Sequence, residues 1–485
     1  MLTADPKAYG SSFFAATQAD RPERAKLNFD LDIDVCIIGA GLAGLTAARE
    51  IAKRGWSVAV LEARNVAWNA SGRNAGVVRP GYTAPPEKLV ERVGVAHAKA
   101  LWALSEAGVE YVRASTKDPA MTGIALAEDG WLHVSKTDER RPLEARVELL
   151  AGQFGAKVER WPAEWVRQVI NSAVYFDAAH YPAAFSVHPL NYALGLAASA
   201  EAAGARIFED TPVTAIDPAG VRKRINTRDA RVRASHVVLA GSIHIAGLMP
   251  QYASTLLPGY SAAITTALIG DNLQRAIRVP LTVSDTRLAD GYYRVVDGSR
   301  LMWTGRSSVW RGRPKAYGNA LAAEIRRTFP QLGKVKVDHA WTGVVGHTVH
   351  GMPLIGEASP GVWLLSGFGD HGLNTTAIGG LMVARAIAEN DQTWQLFNPF
   401  ALVWAGGLAG RAAQQVFYWS ERARDRVGSA LAQRRDYKRR LAAEAAVASK
   451  VKLPRLRLRA DVPSVFRRKS KAAEPAETSS RGETP

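Results

Sequence analysis

The chain has 485 residues, 47% of them hydrophobic and 22% charged, with one cysteine and a formal net charge of +17. That length exceeds the usual domain and predicts two domains with ample material for a core. The single cysteine, Cys36, excludes an intramolecular disulfide and a cysteine-based metal cluster, and it fits a reducing compartment. The charge is uneven. Arg411–Pro485 holds 19 Lys and Arg against 8 Asp and Glu, a net of +11, which leaves +6 over the 410 residues before it. A polyanion partner is therefore a question about the tail alone. The opening residues show no apolar run behind a basic end, and no stretch approaches the ~20 apolar residues of a membrane-spanning helix. A soluble cytoplasmic protein is expected.

Residues 1–30 read as an irregular arm with one aromatic patch, SSFFAAT. From Asp32 onward strand and helix signals alternate, which predicts an α/β architecture. IDVCIIG is an apolar strand, and GAGLAG follows with Gly39, Gly41 and Gly44. LTAAREIAKRG is an amphipathic helix stopping at Gly55, and WSVAVLE is a second strand ending at Glu62, 23 residues after Gly39. Each part has its own physical reason. Gly39 permits a tight turn, Gly41 lets backbone approach a pyrophosphate, Gly44 allows helix to pack on strand, and the helix start offers N–H donors. A carboxylate at Glu62 accepts from ribose hydroxyls, which favours an unphosphorylated adenosine ribose as in FAD or NAD. A glycine turn that only packs is the competing reading.

Further along come the small-residue loop NASGRNAG (Asn69–Gly76) and a helix over Lys88–Ser115, followed by ARVELLAGQFGAKVERW as a helix running into a connector. His188–Ile216 reads as helix, glycine stop, strand, turn and strand. RASHVVLAGS contains a buried strand, Val237–Leu239, ending in Ala240-Gly241. Between Ser261 and Arg306 short β-branched and aromatic runs predict an antiparallel sheet. SGFGDHGLNTTAIGG, from Ser366, is a second glycine turn opening a helix, and two helix starts aimed at one dinucleotide suit a large extended cofactor. After about Phe397 a long helix with a Gly-Gly interruption gives way to a basic segment expected to be disordered.

DVCIIGAGLAGLTAAREIAKRGWSVAVLEA, ASGRNAG, VVLAGS and GMPLIGEASPGVWLLSGFGDHGLNTTAIGG, in this order, resemble the D-amino-acid oxidase (DAO) family of FAD-dependent oxidoreductases. SFFAAT and ASGRNAG resemble its gamma-glutamylputrescine oxidase-like branch. The resemblance covers about Ser11 to Phe400. It implies a Rossmann-like FAD-binding domain, 31–86 with 180–250 and 340–395, interleaved with an antiparallel-sheet substrate domain, 87–179 with 251–339. The arm 1–30, a helical extension 396–450 and a disordered basic tail 451–485 complete the organisation.

By resemblance, Gly39, Ala40, Gly41, Leu42 and Gly44 would cradle the FAD pyrophosphate, and Glu62 with Ala63 would hold the adenosine ribose. Ser71, Gly72, Arg73 and Asn74 would lie along the pyrophosphate and the flavin edge. Val213 would contact adenine through its backbone, and Ala240 with Gly241 would close over the cofactor. Gly369, Gly372, Leu373 and Asn374 would bring N–H groups toward the flavin, where stabilised negative charge makes it a better electron acceptor. Family members with covalent flavin use a late cysteine or a histidine near the ASGRNAG position. Neither stands here, so the FAD is expected to be non-covalent.

The family's amino-acid oxidases often place an arginine after a Trp-x-Gly to grip a carboxylate. In WTGVVGHTVHGMP Val345 stands at that position, which points to an amine or N-substituted amino compound rather than a simple α-amino acid. Arg294, in GYYRVV, is an alternative carboxylate contact or an exposed strand arginine. His371 beside the late glycine turn, His347 and Tyr293 are candidates for polar groups facing the flavin, each against a packing role. His347 and His350 are not expected to form a metal pair, and of Tyr292 and Tyr293 at most one lines a cavity. The implied reaction is oxidation of a C–N bond by hydride transfer to flavin N5, with imine hydrolysis and reoxidation by O2 or another acceptor. A flavin-binding scaffold located by its basic tail is the competing class. The helix from Ala401 to Trp419 suits the surface of an anionic inner membrane, and the tail suits a polyanion; a solvated helix packed on the body competes with both.

Overall fold

The computed structural model describes residues 9–127, 130–286, 291–400 and 402–450; the basic segment 451–485 lies outside them. Two large sheets organise the chain. The first contains β1 (Leu31–Ile38), β2 (Val58–Leu61), β8 (Arg206–Phe208), β9 (Val213–Asp217), β10 (Lys223–Thr227), β11 (Arg231–Leu239), β17 (Leu354–Ser359) and β18 (Val362–Ser366). Its central order is β17-β18-β11-β1-β2-β8, with β10 and β9 continuing from β11. β1 pairs in parallel with both β2 and β11, and Cys36 faces Ala59 on one side and Val237 on the other. A strand covered on both faces needs a nearly continuous apolar run, which IDVCII supplies.

Alternation assigns the two faces. Val35, Ile37, Val60 and Val238 pack into the cluster shared with helices α1 (Leu42–Lys53), α3 (Val95–Ser115), α4 (Pro189–Ala202) and α6 (Gly372–Glu389). Cys36, Ile38, Leu61 and Leu239 point to the opposite cluster with Ile245 and Leu256. α1 lies against both α6 and α4, so the two glycine turns open helices that share one layer.

The second sheet contains β4 (Trp131–Val134), β5 (Glu159–Trp161), β6 (Ala178–Tyr181), β12 (Leu256–Thr266), β13 (Thr282–Asp285), β14 (Tyr292–Val296), β15 (Arg300–Ser308) and β16 (Val337–Thr348), in the order β16-β12-β15-β14-β13-β4-β6-β5. Its pairs are antiparallel except β13 with β4. Helix α5 (Pro314–Thr328) covers it. β3 (Val77–Val78) and β7 (Phe185–Ser186) form a small ribbon beside it. The mixed α/β architecture is as expected.

Three boundaries differ. β16 pairs with β12 along its length, from Leu256 opposite Thr348 to Thr266 opposite Val337, so Trp341–Thr348 belongs to the second sheet rather than to the nucleotide-fold segment 340–395. The aromatic patch of the arm is ordered: Phe13–Ala16 is a helical turn capped by Ser12, and buried Phe14 meets Trp341 edge-on at 5.7 Å. The last described helix, α7 (Gly407–Lys450), begins after Gly406, because Gly406 and Gly407 both take positive φ; Ala401, where the sequence suggested its start, lies outside the described residues. The described residues before Tyr437 form one compact unit, and α7 continues beyond it to Lys450. Among the described residues no helix is long and apolar enough to cross a membrane.

Candidate active site

β1 delivers the chain into a turn that only glycine accepts. Gly39 has φ +106°, and a Cβ there would lie 3.0 Å from the backbone of Ala240. Gly44 is tighter still, since its Cβ would meet the Gly39 carbonyl oxygen at 2.1 Å. α1 then begins with Gly41 as its N-cap, which offers no side chain to its free N–H groups, although the Leu42 N–H donates to Ser71 Oγ at 3.0 Å. Glu62 closes the unit from β2: its two oxygens accept from the Ala40 N–H at 2.8 Å and the Arg64 N–H at 2.9 Å. Burial pushes this carboxyl above its ordinary range while those two donors pull it back. Each oxygen keeps a further lone pair.

The loop before Gly76 is held by its own amide. Asn74 Nδ2 donates to the carbonyls of Ala70 and Ser71, and Asn74 Oδ1 accepts from the Gly76 N–H. Gly72 packs where a Cβ would lie 2.5 Å from the Ala67 carbonyl oxygen. Arg73 projects from this loop with a buried Nε that has no partner. Burial, followed by the nearby guanidiniums of Arg311 and Arg64, holds its pKa below the ordinary value. Trp68 lies between Arg64 and Arg73, 3.9 and 5.0 Å from their guanidinium carbons. Positive charge is thus collected beside the start of α1, which favours an anion.

The late glycine turn arrives from the other side. Gly367 and Gly369 take φ +70° and +55°, and a Cβ on Gly369 would strike Thr83 Oγ1. α6 then starts at Gly372. The two turns and the second sheet line one open cavity. Of the residues proposed from sequence, Gly41, Leu42, Ser71, Arg73, Asn74, Ala240, Gly369, Gly372 and Leu373 line it.

The others lie behind or beside it. Gly39, Ala40, Gly44, Gly72 and Gly241 shape the turns; Glu62 and exposed Ala63 follow β2; Val213 opens β9. Asn374 is 1% exposed and donates to the carbonyls of Gly81 and Ser105, so its side chain ties α6 to α3.

The second sheet contributes Gly259, Ser261, Ala262 and Ala263 from β12, Gly343, Val345 and Gly346 from β16, Tyr292 from β14 and Thr304 from β15. Small residues keep this wall open. Here the candidate catalytic residues need correcting. Tyr293 is 2% exposed and stacks on Trp303 with ring centres 4.5 Å apart, in the core on the far face of the sheet. Strand alternation puts Tyr292, not Tyr293, at the cavity. Arg294 shares the Tyr292 face but is wholly buried, donating to Ser186 Oγ at 2.8 Å and the Val187 carbonyl at 2.9 Å, and burial lowers its pKa to about 10. It anchors the β3–β7 ribbon and is not among the residues lining this cavity.

His371 is also displaced from the role expected of it. It packs beneath Gly81, its Nδ1 has no partner, and burial, followed by Arg79 and His133, holds its pKa well below the ordinary value. His347 stands at the mouth, against Gly259 and Gly369, with Nε2 4.0 Å from Asp370 Oδ1.

A second cation of the cavity, beside Arg73, is one the motifs did not single out. Arg79, 6% exposed, lines the cavity and donates to the Tyr292 hydroxyl. Its guanidinium carbon lies 4.4 Å from the Trp131 ring centre and 4.8 Å from that of Tyr292. Among the described residues no carboxylate forms an ion pair with it. The available signal was an arginine inside the apolar run VVRPG, directly after the ASGRNAG loop.

Residues 34–386 match the family model described as FAD dependent oxidoreductase (DAO). The chain belongs to the DAO family.

Its similarity to the gamma-glutamylputrescine oxidoreductase of Escherichia coli (strain K12) is 28% identity over 394 residues, 80% of this chain and 91% of that one. The DAO fold is shared with glycine oxidase from Geobacillus kaustophilus, at TM-score 0.63 and 23% identity over 77% of this chain and 99% of that one. It is also shared with L-proline dehydrogenase from P. horikoshii, at TM-score 0.65 and 17% identity over 76% and 96%.

The residues present fit FAD, the cofactor of this DAO-family oxidoreductase. Gly41 meets Ser71 Oγ where a Cβ would crowd it at 3.0 Å, the orphaned Nε of Arg73 awaits an acceptor, and two helix starts reach one cavity.

Proposed function

We propose that the protein oxidises the C–N bond of an amine that also carries a carboxylate, with Arg79 gripping that carboxylate. The observation that carries the reading is a buried guanidinium lining the cofactor cavity, held against Trp131 and Tyr292 with no acidic partner among the described residues. A buried charge of this kind calls for an anion. Val345 in β16 offers no charge, so Arg79 takes over the recognition expected from an arginine there. The relative named for gamma-glutamylputrescine supports a substrate with an amine at one end and an amino-acid group at the other.

FAD, when bound, supplies the two-electron acceptor for C–N oxidation. In this reading Arg73, Ser71 and the starts of α1 and α6 hold it without a covalent bond. Cys36 is sequestered inside β1, where burial pushes its thiol up to about 12. Tyr292 orients Arg79, and the small residues of β12 and β16 leave room for the amine. Among the described residues Asp370 is the single carboxylate lining the cavity, and no described histidine lines it. In this reading the amine reacts in its neutral form, positioning supplies most of the rate, and the imine hydrolyses after release.

Anaerobic bleaching of the bound flavin across polyamines, γ-glutamylated amines, N-methylated amino acids and D-amino acids tests the proposal. Carboxylate-bearing amines should reduce the flavin faster than their uncharged counterparts. Equal rates with and without the carboxylate would refute it.

A further inference from the structure

α7 has two faces of opposite character. Its inner face packs on the body: Gln415 Oε1 accepts from Ser308 Oγ and the Val309 N–H, and Tyr418, Glu421 and Ala432 are buried. Asp425 and Asp436 also turn inward, the latter pairing with Arg167.

The outer face is apolar along a helical stripe. Leu408, Val416, Trp419 and Val427 are 73%, 59%, 60% and 61% exposed, and Trp404 just before the helix is 69% exposed. An isolated exposed leucine is ordinary, but several large apolar residues aligned along one side of a helix, with two tryptophans among them, make a contact surface. Arg424, Arg426 and Arg434 flank the stripe, while between Gly407 and Asp436 every carboxylate sits on the inner face. Arg424 reaches back to Glu421. The outward surface is therefore apolar and cationic together, and the 35 residues after Lys450 add a further net +5.

We infer that the outer face of α7 docks the protein on an anionic lipid bilayer, with α7 lying in the plane of the interface. The charge decides among occupants. A second copy would bring another cationic stripe against the first, whereas anionic headgroups neutralise the arginines while the apolar side chains enter the acyl boundary. Tryptophan is the residue best suited to that boundary, and the helix is too polar to cross it.

The test uses the full-length holoenzyme, sedimented with vesicles of phosphatidylcholine alone or mixed with phosphatidylglycerol. It should co-sediment with the mixed vesicles only, with tryptophan emission moving to shorter wavelength, and high salt should weaken binding. A Leu408→Ser, Trp419→Ser double variant should lose at least about tenfold in partitioning. Arg426→Gln with Arg434→Gln should lose the preference for anionic lipid. Both variants should keep wild-type flavin absorbance and circular dichroism, since the substituted side chains are exposed. Absence of vesicle binding, equal binding to neutral vesicles, or partitioning unchanged in either variant would overturn the inference. A concentration-dependent dimer abolished by the Leu408 and Trp419 changes, without vesicle binding, would also overturn it in favour of self-association.

Discussion

The guanidinium of Arg79 lies 4.4 Å from the Trp131 ring centre, across from a tyrosine hydroxyl that it also bonds. A cation held between two aromatic faces keeps its charge available to a ligand, because neither partner neutralises it. This pairing joins the β3 ribbon to the second sheet at the cavity wall.

Replacing Arg79 by methionine should lower kcat/KM for a carboxylate-bearing amine by about ten- to a hundredfold, the worth of one charge-assisted contact. The loss should appear chiefly in KM, and an amine without a carboxylate should be unaffected. Steady-state kinetics on the two substrate types separates these outcomes from a general loss of fold.

The adjacent tyrosines should behave oppositely. Tyr292→Phe removes the hydroxyl that orients Arg79 and should raise KM for the same substrate, with stability unchanged. Tyr293→Ala should leave the kinetics of the folded fraction intact but cost about 3–5 kcal/mol, since it empties the stack on Trp303. Denaturant titration and kinetics on each variant check the contrast.

Arg73→Gln should weaken FAD retention by about tenfold, through loss of one charge facing the pyrophosphate, while the apoprotein unfolds as before. Gly44→Ala should fail more severely, because its methyl would collide with the Gly39 carbonyl and push α1 off the turn. Flavin release during dialysis, read by absorbance, distinguishes the two.

Stability should fall on acidification through buried histidine. Burial and the charges of Arg146 and Arg79 lower the His133 pKa from an ordinary 6.5 to about 3, so the folded protein keeps it neutral where the unfolded chain takes up a proton. His188, lowered to about 4, acts in the same sense. Their contribution is complete above the unfolded value of 6.5 and is lost as pH drops toward the folded values. The melting temperature should decline across that interval, and His133→Asn should flatten the decline.

Activity should instead rise with pH, following the substrate's ammonium. Among the described residues no histidine lines the cavity interior, and burial keeps His371 neutral behind Pro80 and Gly81. A bell-shaped profile with an acidic limb that is the same for amines of different pKa would contradict this.

Much of the site was legible because its signals are local. Gly39, Gly41, Gly44 and Glu62 fall within one strand–turn–helix–strand unit, and nine residues read from the motifs line the cavity. The corrections came where one-dimensional rules are silent. Alternation says that Tyr292 and Tyr293 face apart, but only the pairing of β14 between β13 and β15 decides which one meets the cavity. Arg294 and Arg79 each sit in an apolar run. The first finds partners at Ser186 and Val187, more than a hundred residues away, whereas the second finds aromatic rings and, among the described residues, no acid.

By itself, the order of residues determined the fold class, the cofactor turn and the basic end of the chain, because turn geometry, helix starts and net charge depend on neighbours a few positions apart. Which arginine is offered to a substrate, and which tyrosine stands beside it, was decided only when strands distant in the chain came into register. Burial and partnership are properties of that assembled surface, and no stretch of residues carries them alone.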